Sequence, residues 1–138
     1  MDADESRALF ASVRVARLAT CDADGRPHLV PITFAPAGDE ILTAVDHKPK
    51  RTTRLRRLEN IAGNPRVSVL ADHYEDDWSK LWWVRADGTA RVVEPEAPEH
   101  DAAVARLAER YEQYRDRLPE GPAVAITVSR WSGWRAGS

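Results

Sequence analysis

Three strand-like runs, separated by two tight-turn signals, occupy the first 45 residues of the chain. The runs cover 15–21, 27–34 and 41–45, and the sequences Asp-Ala-Asp-Gly and Pro-Ala-Gly-Asp lie between them. Turns this short join neighbouring strands that run in opposite directions. The chain is therefore predicted to open as an antiparallel meander. Because Pro31 lacks a backbone N–H, the second strand is expected at a sheet edge, at a bulge or at a barrel bend.

The remainder of the sequence alternates strand-like runs with helical patterns. We predict helices over 4–12, 55–62 and 98–118 and strands over 67–71 and 123–129. In the second helix, Leu55, Leu58 and Ala62 recur at helical spacing with Ile61 beside them, and together they form the predicted apolar stripe. The segment 78–95 fits a hairpin around Gly88 or, alternatively, one long strand bent at a glycine bulge. About six strands with outer helices indicate a mainly β fold with helices (α+β), a small barrel or sandwich.

Length and composition limit the classes of protein to which the chain can belong. The 138 residues predict a single domain over 1–138, and the apolar fraction of 43% is that of an ordinary globular protein. The formal net charge is only -2, so no overall positive field indicates a nucleic acid partner. The single Cys21 excludes an internal disulfide, and no apolar run approaches the length of a membrane span. We therefore expect a cytoplasmic protein with neither a nucleic acid nor a membrane as its partner.

A local excess of positive charge follows the third predicted strand. Two lysines flank a proline, and arginines and threonines then lead into the second helix; the residues concerned are Lys48, Lys50, Arg51, Thr52, Arg54 and Arg57. Such a loop at a helix N-terminus can bind a phosphate group, because its side chains and backbone N–H groups donate hydrogen bonds to an anion. The alternative interpretation is a solvated basic helix face.

Five tryptophans form two clusters, at 78–83 and at 131–134. Core packing explains a single tryptophan. Two clusters together with a phosphate-type loop suggest instead an aromatic-lined slot beside an anion site, which would suit a flavin-like cofactor. The sequence contains no glycine-rich dinucleotide or nucleoside triphosphate loop, no nucleophile elbow and no pair of histidines at metal-ligand spacing. Neither hydrolase chemistry nor a metal site is predicted.

Four segments carry a resemblance to a known family. They are ATCDADGRPHLVPITF, ILTAVDHKPKR, NPRVSVLAD and W-x-x-L-W-W-V-R-x-x-G-x-A. In this order and spacing they look like the pyridoxamine 5'-phosphate oxidase-like (PPOX class) split-barrel flavoproteins. The LWWVR run and the terminal RWSGWRA are similar to an actinobacterial branch that depends on the deazaflavin coenzyme F-420. The resemblance implies a six-stranded antiparallel Greek-key split β-barrel of the FMN-binding type, with 78–95 as one long bent strand.

The resemblance also implies a homodimer with its cofactor in a groove between the subunits. The matching positions are Lys48, Lys50, Arg51, Thr52, Arg54 and Arg57 for the phosphate and any acidic extension; Val30, Pro31, Thr33, Thr43 and Ala44 for the ring system; and Trp78, Trp82, Trp131 and Trp134 for closing the slot from the partner subunit. No catalytic side chain is expected, because the cofactor carries the hydride.

These features together predict an oxidoreductase. The resemblance implies a reductase that uses coenzyme F-420 to transfer a hydride to or from a small electron-poor organic molecule. The alternatives are an FMN-binding oxidoreductase of the same fold, a non-catalytic cofactor-binding or carrier protein, and a stress protein whose slot accepts haem or another planar ligand. Pyridoxamine phosphate oxidation is not expected, because the chain is too short to include the C-terminal segment that completes that site in the oxidases.

Overall fold

Seven antiparallel strands of one sheet and four α-helices make up the part of the chain that the structure, a computed structural model, describes, namely residues 1–45 and 55–137. The strands are β1 (Ala16–Cys21), β2 (Pro27–Ile32), β3 (Ala35–Ala37), β4 (Glu40–Ala44), β5 (Arg66–His73), β6 (Trp82–Val93) and β7 (Ala123–Arg135). The helices are α1 (Ala3–Ala11), α2 (Arg56–Gly63), α3 (His100–Arg110) and α4 (Glu112–Asp116), and Trp78–Lys80 form a 3-10 helix. The strand order is β2-β1-β5-β6-β7-β4-β3. This curled sheet with flanking helices confirms the predicted split-barrel architecture.

The predicted opening meander is confirmed, but its second strand is divided. β2 pairs with β1 and ends at Ile32, whereas β3 begins at Ala35 and pairs with β4. Between them, the backbone N–H of Phe34 donates to the Tyr111 hydroxyl at 3.0 Å, so a side chain replaces a neighbouring strand as its partner. The prediction of six strands is therefore corrected to seven for the described residues. Because β2 is an edge strand, it accommodates Pro31 as expected.

β6 is one long strand, so the prediction from the family resemblance is correct and the local hairpin is wrong. It pairs with β7 over its whole length, and the register shifts between Asp87 and Gly88. A Cβ at Gly88 would lie 2.1 Å from the carbonyl oxygen of Thr127, so only glycine permits this close approach of the strands. β7 itself continues to Arg135, beyond the predicted end at residue 129.

Two helical predictions are corrected in detail. The helix predicted over 98–118 is broken at Tyr111, whose φ of -123° and ψ of 121° are extended. In α2, Leu58 and Ile61 are buried as predicted and Asn60 is buried beside them, whereas Ala62 is exposed. None of the helices in residues 1–45 and 55–137 is long and apolar enough to cross a membrane.

The apolar residues form two clusters, one on each side of the sheet. The inner cluster fills the barrel and includes Leu18, Phe34 and Val69. The second cluster lies between α3 and the outer face of β3, β4 and the start of β7, with Leu107 at its centre. The outward-facing residues of β1, β2 and β5 are exposed or half-buried, and Leu29 among them is 66% exposed. Within the described residues, α3 covers the outer face at β3, β4 and the start of β7, while that of β1, β2 and β5 stays open.

Candidate functional site

Two predicted ring contacts meet where the chain passes from β2 to β3. The Thr43 hydroxyl donates to the carbonyl oxygen of Thr33 at 2.7 Å, and the Thr33 and Tyr114 hydroxyls lie 2.8 Å apart. Thr43 is buried on the inner side of β4, whereas Ala44 packs against the α3 cluster. The structure thus brings Thr33 and Thr43 together and turns Ala44 towards the helix layer.

The other two predicted ring contacts lie on the edge strand β2. Val30 is half-buried and packs against the inner cluster, whereas Pro31 is exposed on the opposite face. Within the described residues β2 pairs only with β1, so the N–H and C=O groups along its other edge have no strand partner. Backbone groups in this position are available to a ligand that lies along the strand.

Sequence reasoning missed His28, which shares the face of Val30. Its Nδ1 is buried and has no hydrogen-bond partner among the residues that the structure describes. Thr20 faces His28 across the β1–β2 pair, and the Thr20 hydroxyl accepts a hydrogen bond of 3.0 Å from the Asn60 amide. A buried nitrogen without a partner calls for an explanation, and a bound ligand is one. The alternation of residues along β2 was the signal that could have identified His28.

Five of the six predicted phosphate contacts, Lys48, Lys50, Arg51, Thr52 and Arg54, lie outside the described residues. The residues on either side of this segment are described. Val45 belongs to the inner cluster and its backbone N–H donates to the Pro122 carbonyl at 3.0 Å, while Leu55 packs against the same cluster. Arg57 is half-buried near the start of α2. Both flanks of the predicted phosphate segment therefore meet the barrel core.

The structure divides the four predicted tryptophans into two pairs, and the first pair packs inside. Trp82 and Trp131 are partly buried against the inner cluster. The ring of Trp131 makes an edge-to-face contact with Phe10, with centroids 5.4 Å apart, and the Arg7 guanidinium lies 5.7 Å from its centroid. These contacts attach α1 to the barrel, which is a packing role.

The second pair is open to solvent in this chain. Trp134 is 44% exposed and lies opposite Trp83 on the outer face, whereas Trp78 is 76% exposed in the 3-10 helix. Asp77 caps that helix and accepts hydrogen bonds from both the hydroxyl and the N–H of Ser79. The bond from the Ser79 hydroxyl is the main reason why the pKa of Asp77 is lowered. Trp78 is therefore held on an ordered turn while its ring remains accessible.

Two surface cavities of the described residues each have a volume of about 640 to 650 Å³, which lies within the range of about 300 to 1,000 Å³ that is typical of small-molecule sites. One has a volume of about 650 Å³ and lies between the end of β1, the starts of β2 and β5 and the register shift of β6, where Cys21, Asn64 and Asp87 line it. The other has a volume of about 640 Å³ and is lined by Thr33, two tyrosines, a glutamine and two arginines. The predicted ring contact Thr33 therefore also forms part of a cavity wall.

Comparisons with known proteins agree with this architecture. The sequence profile of the pyridoxamine 5'-phosphate oxidase family matches residues 3–135. No curated protein matches the sequence significantly. Among solved structures, the chain resembles the conserved hypothetical protein Rv2991 from Mycobacterium tuberculosis, with 26% identity and a TM-score of 0.76 over 98% of this chain and 85% of that one.

Two other solved structures share the fold at lower identity. A FAD-binding protein from Mesorhizobium loti is 21% identical, with a TM-score of 0.75 over 96% of this chain and 94% of that one. HutZ, the heme storage protein from Vibrio cholerae, is 20% identical, with a TM-score of 0.74 over 98% of this chain and 94% of that one. The same fold thus occurs in proteins that are named for different planar ligands.

Proposed function

The chain belongs to the pyridoxamine 5'-phosphate oxidase family, and we propose that it is an oxidoreductase that uses the deazaflavin coenzyme F-420 to transfer a hydride to or from a small electron-poor organic molecule. The observation that carries the proposal is the family match over residues 3–135, which spans every described strand. The choice of a deazaflavin rests on the resemblance of LWWVR and RWSGWRA to the F-420-dependent branch. When bound, this coenzyme supplies two-electron hydride transfer.

The residues at the edge of β2 fit a planar cofactor. The edge offers backbone hydrogen-bonding groups without a strand partner, and the buried Nδ1 of His28 lies on the same strand without a partner among the described residues. We propose that the ring system lies along Val30, Pro31 and Thr33 and meets β4 near Thr43. In this arrangement the chain orients the ring by backbone contacts and excludes water with the half-buried side chain of Val30.

The basic segment would hold the charged part of the coenzyme. We propose that Lys48, Lys50, Arg51 and Thr52 bind the phosphate, because ammonium, guanidinium and hydroxyl groups all donate hydrogen bonds to phosphate oxygens. Arg54 and Arg57 would bind the acidic oligoglutamate tail of a deazaflavin, which FMN lacks. We therefore expect the Kd for F-420 to rise more steeply with salt concentration than the Kd for FMN.

We further propose a homodimer whose partner subunit closes the cofactor groove. The uncovered outer face of β1, β2 and β5 supports this, since it exposes Leu29 and continues to Trp134. Exposed apolar side chains of this kind are typical of a surface that a partner covers. Trp78 and Trp134 of the partner subunit would lie over the groove. Analytical ultracentrifugation should give twice the chain mass of 15.4 kDa, and a monomer at all concentrations would refute the shared groove.

A titration with oxidised and reduced F-420, FMN and haem tests the cofactor. Lys50→Ala should weaken F-420 binding by about 1 to 3 kcal/mol, the cost of a lost charged hydrogen bond. This corresponds to roughly 5- to 150-fold in Kd. Arg106→Ala is the matched control, because Arg106 is an exposed cation on α3 and its loss should leave the Kd unchanged. Tight FMN binding without F-420 binding would refute the deazaflavin assignment, and an unchanged Kd would remove Lys50 from the site.

The second candidate is a protein that binds FMN or haem without catalysing a reaction. This candidate is supported by the likeness of the fold to a FAD-binding protein and to a heme storage protein. The same titration separates the two candidates, because a carrier would bind haem or FMN in preference to F-420. An additional measurement of hydride transfer from reduced F-420 to nitroaromatic acceptors would show whether the bound coenzyme turns over.

A further inference from the structure

The cavity of about 640 Å³ has two arginines in its wall. We call it the two-arginine cavity; it is lined by Arg14, Val15, Thr33, Tyr111, Gln113, Tyr114 and Arg117. No aspartate or glutamate is among these residues. Arg14 comes from the link between α1 and β1, and Arg117 follows α4, so residues distant in sequence contribute the two charges.

Two contacts hold the side chain of Arg14, and a third holds its backbone. Its Nη2 donates to the Arg110 carbonyl at 2.6 Å, its guanidinium carbon lies 4.8 Å from the Tyr111 ring centroid, and its own carbonyl accepts from the Tyr111 hydroxyl at 2.8 Å. A guanidinium has five N–H donors, so this single described hydrogen bond leaves most of them for another acceptor. The two side-chain contacts restrict the guanidinium before a ligand arrives, which lowers the entropic cost of binding.

The two arginines of the cavity, Arg14 and Arg117, form no ion pair with a described carboxylate. The neighbouring Arg110 directs its guanidinium at the backbone carbonyls of Ala11 and Val13, which leaves its positive charge without a counter-ion there. Three guanidinium groups thus raise the local potential, and a small anion would relieve it.

The remaining walls of the cavity suit a flat apolar body. Val15 is 40% exposed, and the rings of Tyr111 and Tyr114 meet edge to face with centroids 5.7 Å apart. The hydroxyls of Thr33 and Tyr114 lie 2.8 Å apart and form a polar boundary on one side. Because the Thr33 carbonyl is bonded to Thr43, the cavity adjoins the strand positions to which we assign the cofactor ring.

We propose that the two-arginine cavity is the substrate subsite and that it takes a small aromatic carboxylate. The carboxylate binds Arg14 and Arg117, and the aromatic ring lies against Val15 and the tyrosines. Guanidinium groups match the planar carboxylate through paired hydrogen bonds, which gives geometric selectivity as well as charge. The role of this anion as a substrate rests on the proposed function, whereas the binding of the anion to the two arginines does not.

Isothermal titration of the full chain without added cofactor tests the subsite with benzoate, benzamide and phenyl phosphate as probes. Benzoate should bind at least about tenfold more tightly than the neutral benzamide, the scale of a charged hydrogen bond. Arg117→Ala should remove this preference, whereas Arg106→Ala, the loss of an exposed cation on α3, should retain it. Arg117 is exposed, so its substitution should leave the melting temperature unchanged.

Equal binding of benzoate and benzamide, or a preference for benzoate that survives in Arg117→Ala, would overturn the proposal. Tighter binding of phenyl phosphate than of benzoate would overturn the assignment to carboxylates. The two proposals fail separately: a chain that binds F-420 but not benzoate contradicts only the subsite. A chain that binds benzoate through Arg117 but binds no F-420 keeps the anion site and contradicts the proposed function.

Discussion

Replacing Gly88 by alanine adds only one methyl group, but it should strongly lower the free energy of unfolding of the chain. Gly88 lies at the register shift of β6, directly against β7. A Cβ added there would lie 2.1 Å from the carbonyl oxygen of Thr127, 2.9 Å from its carbonyl carbon and 3.0 Å from the Cα of Val128. All three are backbone atoms, so no side-chain rotation can relieve the contact. The strands themselves must separate.

The cost follows from the size of that separation. Ordinary van der Waals contact begins at 3.4 Å, so relief of the shortest contact requires about 1.3 Å of movement, the difference between 3.4 and 2.1 Å. A shift of this size stretches the neighbouring β6–β7 hydrogen bonds beyond bonding distance, at about 1 kcal/mol each. Overpacking itself costs about 1 to 3 kcal/mol. We expect a loss of about 3 kcal/mol in the free energy of unfolding, a large part of the 5 to 15 kcal/mol of a typical domain.

Thermal unfolding followed by circular dichroism measures the effect. A loss of about 3 kcal/mol corresponds to a decrease of roughly 10 °C in Tm for a domain of this size. Gly63→Ala is the matched control, because Gly63 ends α2 and a Cβ there meets nothing within 4 Å. Alanine at this helical position should leave Tm unchanged or raise it slightly. A Tm for Gly88→Ala within about 2 °C of that of the unsubstituted chain would refute the close approach of β6 and β7 at Gly88.

Two further predictions concern single hydrogen-bonded groups. Tyr111→Phe should lower the free energy of unfolding by about 1 to 3 kcal/mol in urea denaturation, because the buried Phe34 N–H loses its acceptor; an unchanged midpoint would contradict this role. The Arg26 N–H is the main cause that lowers the pKa of Asp22 below 3.8. The resulting stabilisation is present above the unfolded pKa and is lost as the pH falls through the folded value. An NMR titration of Asp22 with a midpoint at or above 3.8 would contradict it.

Local sequence patterns predicted those elements whose partners are adjacent in the chain. The turns at 22–25 and 36–39 gave the correct strand directions, since each joins strands that pair directly. The pattern over 98–118 was less informative, because helical spacing continues through Tyr111 while the hydroxyl of that residue accepts a hydrogen bond from the Phe34 N–H. A contact between residues 77 positions apart overrides the local preference, and no window of sequence contains it.

The tryptophans show how a strand end that is predicted too early changes the prediction of a site. Successive residues of a strand face opposite sides, so Trp131 and Trp134, three positions apart, must separate if both belong to one strand. They do so in β7, where Trp131 packs inside and Trp134 is exposed. The sequence suggested a strand that ends at residue 129, so the alternation of faces was not expected to extend to Trp131 and Trp134. Strand pairing with β6 extends β7, and that partner is distant in sequence.

The bend at Thr33 links the stability of the fold to the proposed site. Because Phe34 bonds to the Tyr111 hydroxyl, Thr33 belongs to neither β2 nor β3, and it can line a cavity while its carbonyl holds Thr43. The ring of Tyr111 meanwhile supports the guanidinium of Arg14. The side chain of Tyr111 thus bonds to the backbone where β2 has ended, and its ring also supports the guanidinium of Arg14 at the two-arginine cavity. Pro31 suggested a bend in this strand, and the break that follows at Thr33 is where we place the border between cofactor and substrate.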